Sequence, residues 1–205
     1  MYDHIAELRA KFNHPDPKKA QHSPHRHTPI NYGAKVQYAT EAPDSPLLDA
    51  AGKIRIQQLI GAIRYYARAV DNKILVALNE LGQQQSSTTD DTNTDMLQLL
   101  DYLTTYPDDG ITYRASGMVL GGHVYAAYLN VSKARSRAGA HIILTEDVPV
   151  HAHNGPVLTI ANIIRNVMSS AAEAELGGPV LIFKEMIPLR QSLVEMGWPQ
   201  PATPV

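Results

Sequence analysis

The stretch Ser169-Ser170-Ala171-Ala172-Glu173-Ala174-Glu175-Leu176-Gly177 decides how the second half of this chain is read. A serine followed three residues later by glutamate, ahead of good helix formers, is a helix start: the hydroxyl accepts from the new turn and the carboxylate reaches back. Ser169 or Ser170 is the expected N-cap, with Glu173 closing the capping box. Pro179 stands four residues beyond Glu175 and removes the N–H that would bond the Glu175 carbonyl, at about 3 kcal/mol in a helix interior. The helix is therefore expected to break or kink there. Ahead of it the pattern has the short period of strands. Residues 111–114 with 118–120 read as one strand, 123–129 as a second and 138–144 as a third. Asn154-Gly155-Pro156 opens a fourth apolar stretch over 157–167, whose Ile160, Ile163, Ile164 and Val167 suit a helix equally well. Pro188 and Gly197-Trp198-Pro199 punctuate the C-terminal residues.

The first half reads differently. Residues 13–52 carry Pro15, Pro17, Pro24, Pro29, Pro43 and Pro46 with Gly33 and Gly52, a density that blocks regular helix. An extended, partly ordered linker is expected. From Ile56 the apolar positions Leu59, Ile60, Ile63, Ala67 and Val70 recur at helical spacing, and Ile74, Leu75, Leu78 and Leu81 repeat the pattern after Asp71-Asn72. These predict a helical hairpin. The polar run 86–94 is expected to be a loop delivering a further helix over about 95–105. Tyr106-Pro107-Asp108-Asp109-Gly110 then reads as a turn.

Composition bounds the rest. A chain of 205 residues, 44% hydrophobic, is long enough to bury a core in one or two small domains. A net charge of -2 and a pI near 6.5 supply no overall excess of cations for phosphates, though a local basic face remains open. There is no cysteine, hence neither disulfide nor thiolate metal site, which is compatible with a reducing compartment. No apolar run approaches a membrane span and Met1-Tyr2-Asp3-His4 begins no secretory signal, so an intracellular chain, in cytoplasm or nucleus, is the default expectation.

Several short segments, in order, resemble the polymerase polyprotein of copia-type LTR retroelements. They are Lys11-Phe12-Asn13-His14-Pro15-Asp16-Pro17-Lys18-Lys19 with Gln21-His22-Ser23-Pro24-His25, then Ile56-Gln57-Gln58-Leu59-Ile60-Gly61 through Tyr66-Ala67-Arg68-Ala69-Val70-Asp71, then Leu99-Leu100-Asp101-Tyr102 and Tyr106-Pro107-Asp108. Ala126-Ala127-Tyr128-Leu129, Lys133-Ala134-Arg135-Ser136-Arg137-Ala138-Gly139, Asn154-Gly155-Pro156 and the Ser169 stretch complete the series. Each is weak alone; their shared order carries the resemblance. It implies an α/β chain in the mixed, α+β sense: 1–52 a thumb- or connection-derived helix and Pro-rich linker, 53–110 a helical connection segment, and 111–205 part of a ribonuclease H-like mixed sheet with packed helices. It also decides 157–167 in favour of strand, giving three or four mostly antiparallel strands backed by one or two helices.

Ribonuclease H chemistry hydrolyses RNA in an RNA–DNA hybrid with two magnesium ions held between at least three converging carboxylates. The resemblance puts Tyr125 where the family has its first aspartate, and a phenol is a poor bridge for two hard cations. It puts the second carboxylate on Glu175, with Glu173 pointing elsewhere. The third belongs to a threonine-aspartate-asparagine motif that would follow Pro204-Val205. The expectation is a catalytically silent fragment of a reverse transcriptase/ribonuclease H polyprotein with no cofactor, Mg2+ entering at Glu175 only if activity remains. One alternative is an active hybrid nuclease in which Asp147 or Glu146 substitutes for the lost aspartate. Another is a noncatalytic module that binds an RNA–DNA hybrid or other nucleic acid through Lys133, Arg135 and Arg137, although alternate cations are also what a solvated strand face shows. The missing central strand implies an open, aggregation-prone sheet edge that a partner chain would complete.

Other constellations have plainer readings. Tyr106-Pro107-Asp108-Asp109 matches the metal-binding hairpin motif of reverse transcriptases, but it follows a helix and opens onto Gly110, as an ordinary turn does. His22, His25 and His27, or His151 with His153, are close enough in sequence to bind zinc. A four-ligand site would need further rigid ligands, and both groups lie in proline-rich or loop sequence, so exposed loop histidines are expected. Ser169 and Ser170 have no nucleophile context, and capping accounts for them.

Overall fold

A computed structural model describes residues 3–26, 45–131, 135–147 and 154–203. The chain is mixed α and β, and its described residues form two compact units that divide in sequence between Ile111 and Thr112. No helix among them is long and apolar enough to cross a membrane.

The first unit holds α1 (His4–Phe12), α2 (Ala50–Ala69), a single 3-10 turn (Asn72–Ile74), α3 (Leu75–Gln83) and α4 (Asp90–Thr105). The expected helical hairpin is α2 against α3, with Ile56, Leu59, Ile60, Ile63, Tyr66 and Ala67 of α2 buried at helical spacing. Two boundaries differ from expectation. α2 begins at Ala50 because the Asp49 carboxylate accepts from the Gly52 N–H at 2.7 Å. α4 begins at Asp90, inside the predicted loop, because Thr89 and Thr92 form a reciprocal capping box. Residues 86–88 are the expected loop, and 89–94 are the cap and first turn of α4.

Residues 14–26 have no helix or strand, as their prolines require, yet they are docked along α4. His14, buried, lies 2.8 Å from an Asp101 oxygen; the Gln21 N–H donates to Thr105 Oγ1 at 3.0 Å; Arg26 pairs with Asp91 at 3.1 Å and with Asp95. The linker expected over 13–52 is in this part a strap, and 27–44 lie outside the described residues.

Asp71 caps the 3-10 turn by accepting from the Lys73 N–H at 3.1 Å, and is 1% exposed. Burial pushes its carboxyl above the usual carboxylate range; the Lys73 N–H and charge oppose this, and Asp109 adds to it. A raised folded pKa means that the stability associated with the neutral form is full below the unfolded value of about 3.9 and is lost as pH rises through the folded one. Asp71→Asn keeps an acceptor and removes the charge. Its melting temperature relative to the parent should therefore climb in the variant's favour between pH 3 and the Asp71 folded pKa, then level off. A pH-independent difference would exclude this charge as the cause.

The second unit is a three-stranded antiparallel sheet in the order β1-β2-β3, with β1 Val119–Val131, β2 Arg135–Thr145 and β3 Pro156–Ile163, followed by α5 Ala171–Glu195. The strand assignment of 157–167 holds for its first part, and 138–144 lies inside β2. The two strands expected over 111–120 and 123–129 are one strand. Residues 111–118 are not strand because Met118 has φ 60° and Gly117 N–H is tied to the Glu146 carboxylate at 2.7 Å. Asn154 also pins Arg114, accepting its N–H at 2.8 Å and donating to its carbonyl at 3.0 Å. Gly121-Gly122 does not break β1. A Cβ at Gly122 would lie 3.1 Å from the terminal methyl of Met186, so the glycine lets α5 approach.

Alternation along the strands sends Leu120, Val124, Ala126, Ala138, Ala140, Ile142, Leu158 and Ile160 to one face, where Ala174, Ile182, Met186 and Leu193 of α5 complete the core. α5 runs unbroken through Pro179 and Pro188, contrary to the break expected at Pro179. Each proline frees the carbonyl four residues earlier, Glu175 and Lys184, and both residues lie on the exposed side of the helix, where solvent can satisfy the freed group. The buried stripe on the other side holds the helix together. Beyond α5, the Gln200 side-chain amide accepts from the Leu120 N–H at 2.9 Å and donates to the Met118 carbonyl at 2.9 Å, occupying the start of the outer edge of β1. Arg190 holds that tail through the Gln200 and Pro201 carbonyls and Thr203 Oγ1.

Candidate functional site

Ser170 is the N-cap of α5: its hydroxyl accepts from the Glu173 N–H at 3.1 Å, while the Glu173 carboxylate accepts from the N–H and hydroxyl of Ser169 at 2.7 and 2.6 Å. The Ser169 hydroxyl and N–H hold Glu173 below the usual carboxylate range. Glu173 is thereby committed to the helix start. Glu175, one turn before Gly178, is exposed.

Gly178 rests on β1 and β2, where an added Cβ would sit 3.0 Å from the Ala126 methyl and 3.7 Å from the Ala138 methyl. Glu175 therefore stands near the β1–β2 hairpin end of the sheet. Tyr125 is the neighbour of Ala126, and alternation turns it to the face away from α5, where it is 72% exposed. Tyr125 and Glu175 lie on opposite sides of the sheet. Glu146 and Asp147 follow Thr145, which pairs with Val119 at the far end of the sheet. Eight residues separate Ala138 from Glu146, or about 26 Å of strand. Neither acid approaches Glu175, so the geometry lends no support to the alternative in which Asp147 or Glu146 substitutes for the lost aspartate. Among the described residues, no three histidines, aspartates or glutamates converge to hold a metal ion. Among the described residues, Tyr125, Glu146 and Asp147 do not gather at Glu175 into a two-magnesium centre.

At the hairpin, Arg135 pairs with Val131 in register and is half-buried, whereas Arg137 is 7% exposed, opposite Ala127 and Ile163. Burial leaves the Arg137 guanidinium little surface for a phosphate. Lys133 lies outside the described residues, as do His27, His151 and His153. His22 is committed to the Tyr106 hydroxyl at 2.5 Å, and His25 Nδ1 lies 3.3 Å from the Arg26 carbonyl. Tyr106-Pro107-Asp108-Asp109 is the turn its sequence predicts: Asp109 ion-pairs with Lys73, and its carbonyl accepts from the Tyr66 hydroxyl at 3.3 Å.

The face of the sheet away from α5 carries a pair that sequence spacing did not single out. His123 and His141 are register partners on β1 and β2, both exposed, and Thr159 stands opposite His141 on β3. Partial desolvation of its ring on the sheet, and secondarily His123, hold His141 below the usual imidazole value. Eighteen residues separate the two histidines in sequence, and only the hairpin register brings them together. No family model, no curated protein and no solved structure matches the chain.

Proposed function

We propose that this chain is part of a copia-type retroelement polymerase polyprotein, comprising connection and ribonuclease H-like segments, that does not cleave RNA; the alternative reading is a noncatalytic module that binds nucleic acid through the β1–β2 hairpin. The reading is supported by the packing of α5 along β1 of an antiparallel meander, with Gly178 over Ala126 and Glu175 at the hairpin end. That is where a ribonuclease H-like resemblance would set its second carboxylate. Silence is supported by the position of Tyr125 across the sheet and by the distance of Glu146 and Asp147.

Purified chain incubated with an end-labelled RNA–DNA hybrid and Mg2+ or Mn2+ is expected to leave the RNA intact. Tyr125→Asp should also fail to cleave it, since a carboxylate there projects from the wrong face. Restoration of cleavage by that single change would overturn the assignment of faces and the silence together. Hybrid binding should weaken as salt rises, with a shallower slope when Lys133 and Arg135 are replaced by alanine. A slope unmoved by that change would reject the hairpin as the contact.

A further inference from the structure

We infer that His123 and His141 form a two-imidazole site for a divalent first-row transition cation, of the Zn2+ or Cu2+ class, on the sheet face opposite α5. The two residues are directly opposite one another in the β1–β2 register. Cβ atoms of such a pair lie about 4.5–5.5 Å apart and their side chains leave the sheet on the same side. A tetrahedral ion with bonds of about 2.0–2.1 Å needs ligand nitrogens about 3.3 Å apart, which two imidazoles rising from that base can supply. The backbone is fixed by pairing on both sides of His141, to β1 and to β3, so the ligands start from a rigid frame.

The outer partner is also present. His141 Nδ1 lies 3.3 Å from Thr159 Oγ1, its register neighbour on β3. With the proton on Nδ1 donated to that hydroxyl, Nε2 keeps its lone pair for the metal, the arrangement by which a second partner fixes the tautomer of a ligating histidine. Two nitrogen ligands and no thiolate favour borderline cations, with Cu2+ above Zn2+ and both far above Mg2+, which prefers oxygen. Water would complete the coordination. This site is independent of the proposal about RNA: it uses other residues and a different class of ion.

The test is titration of the metal-stripped full chain with Zn2+, Cu2+ and, in parallel, Mg2+, followed by calorimetry and by the histidine ring signals in NMR. One Zn2+ per chain should shift the His123 and His141 rings together, and Mg2+ should shift neither. His123→Ala and His141→Ala should each weaken binding by about a hundredfold or more, and Thr159→Val by about tenfold. All three positions are on a strand surface, so metal-free melting curves should match the parent and separate lost binding from lost fold. Zn2+ bound as tightly by the His123→Ala/His141→Ala double variant, or a parent that leaves both rings unshifted, would overturn the site.

Discussion

Gly178→Leu is expected to unseat α5 and unfold the second unit under conditions where the parent is folded. A Cβ alone at this position comes within 3.0 Å of the Ala126 methyl and 3.9 Å of Ala126 Cα. Three further carbons would have to enter β1 or β2, whose register is fixed by pairing. Overpacking costs about 1–3 kcal/mol where side chains can give and more where backbone stands in the way, so a loss of about 3 kcal/mol or more is expected. Gly178→Ala is the informative companion. Alanine gains about 1 kcal/mol of helix propensity over glycine, and the 3.0 Å contact offsets much of it. Gly61 of α2, with nothing within 4 Å of its added Cβ, serves as the control, because alanine there should deliver that gain undiminished. Trp198, the chain's lone tryptophan, follows α5 and reports the second unit by fluorescence during denaturant unfolding. Leucine tolerated as well as alanine would mean that α5 is not seated on Ala126.

Ile63→Ala is expected to destabilise the first unit by about 2–5 kcal/mol, the range for emptying a buried aliphatic site. Ile63 is 0% exposed in the middle of α2, on the stripe shared with Leu59, Ile60, Tyr66 and Ala67. At about 4–8 °C per kcal/mol for a domain of this size, the thermal midpoint of that unit should fall by about 10 °C or more. Ile54→Ala, in the same helix but at a 53% exposed position, should stay within about 0.5 kcal/mol of the parent. Near-ultraviolet circular dichroism follows the change through the buried Tyr66 and Tyr102. Equal losses at positions 54 and 63 would put the wrong face of α2 in the core.

Periodicity carried the helices well because each has one buried stripe that sequence displays directly: 56, 59, 60, 63 and 67 fall on one face of α2. Starts were harder. Thr89 and Thr92 are polar residues in a polar run, and only their reciprocal hydrogen bonds mark them as a cap. Gly122 lies between the two stretches read as separate strands, and its small size makes room for Met186 within one strand. Proline misled at Pro179, since its local cost falls on the solvent side of a long helix whose opposite side is packed. The candidate site was legible in its parts and not in its geometry. Glu175 and Tyr125 were named from the sequence, but which face each occupies depends on strand alternation and on where α5 crosses. The histidine pair was invisible for the same reason: register across a hairpin is a long-range property that no local spacing encodes.

The tail after α5 has a mechanical meaning. Gln200 is bonded to Met118 and Leu120 at one end of β1, and Arg190 grips the carbonyls of Gln200 and Pro201 from the last turns of α5. A pull applied beyond residue 203 therefore does not begin by peeling α5 from its own C-terminal end. The load divides at Gln200, one share going along the helix through a guanidinium fork and the other entering the sheet at the first residues of its longest strand. Bonds loaded side by side must fail together, so this end of the unit resists tension as a knot and not as a zipper.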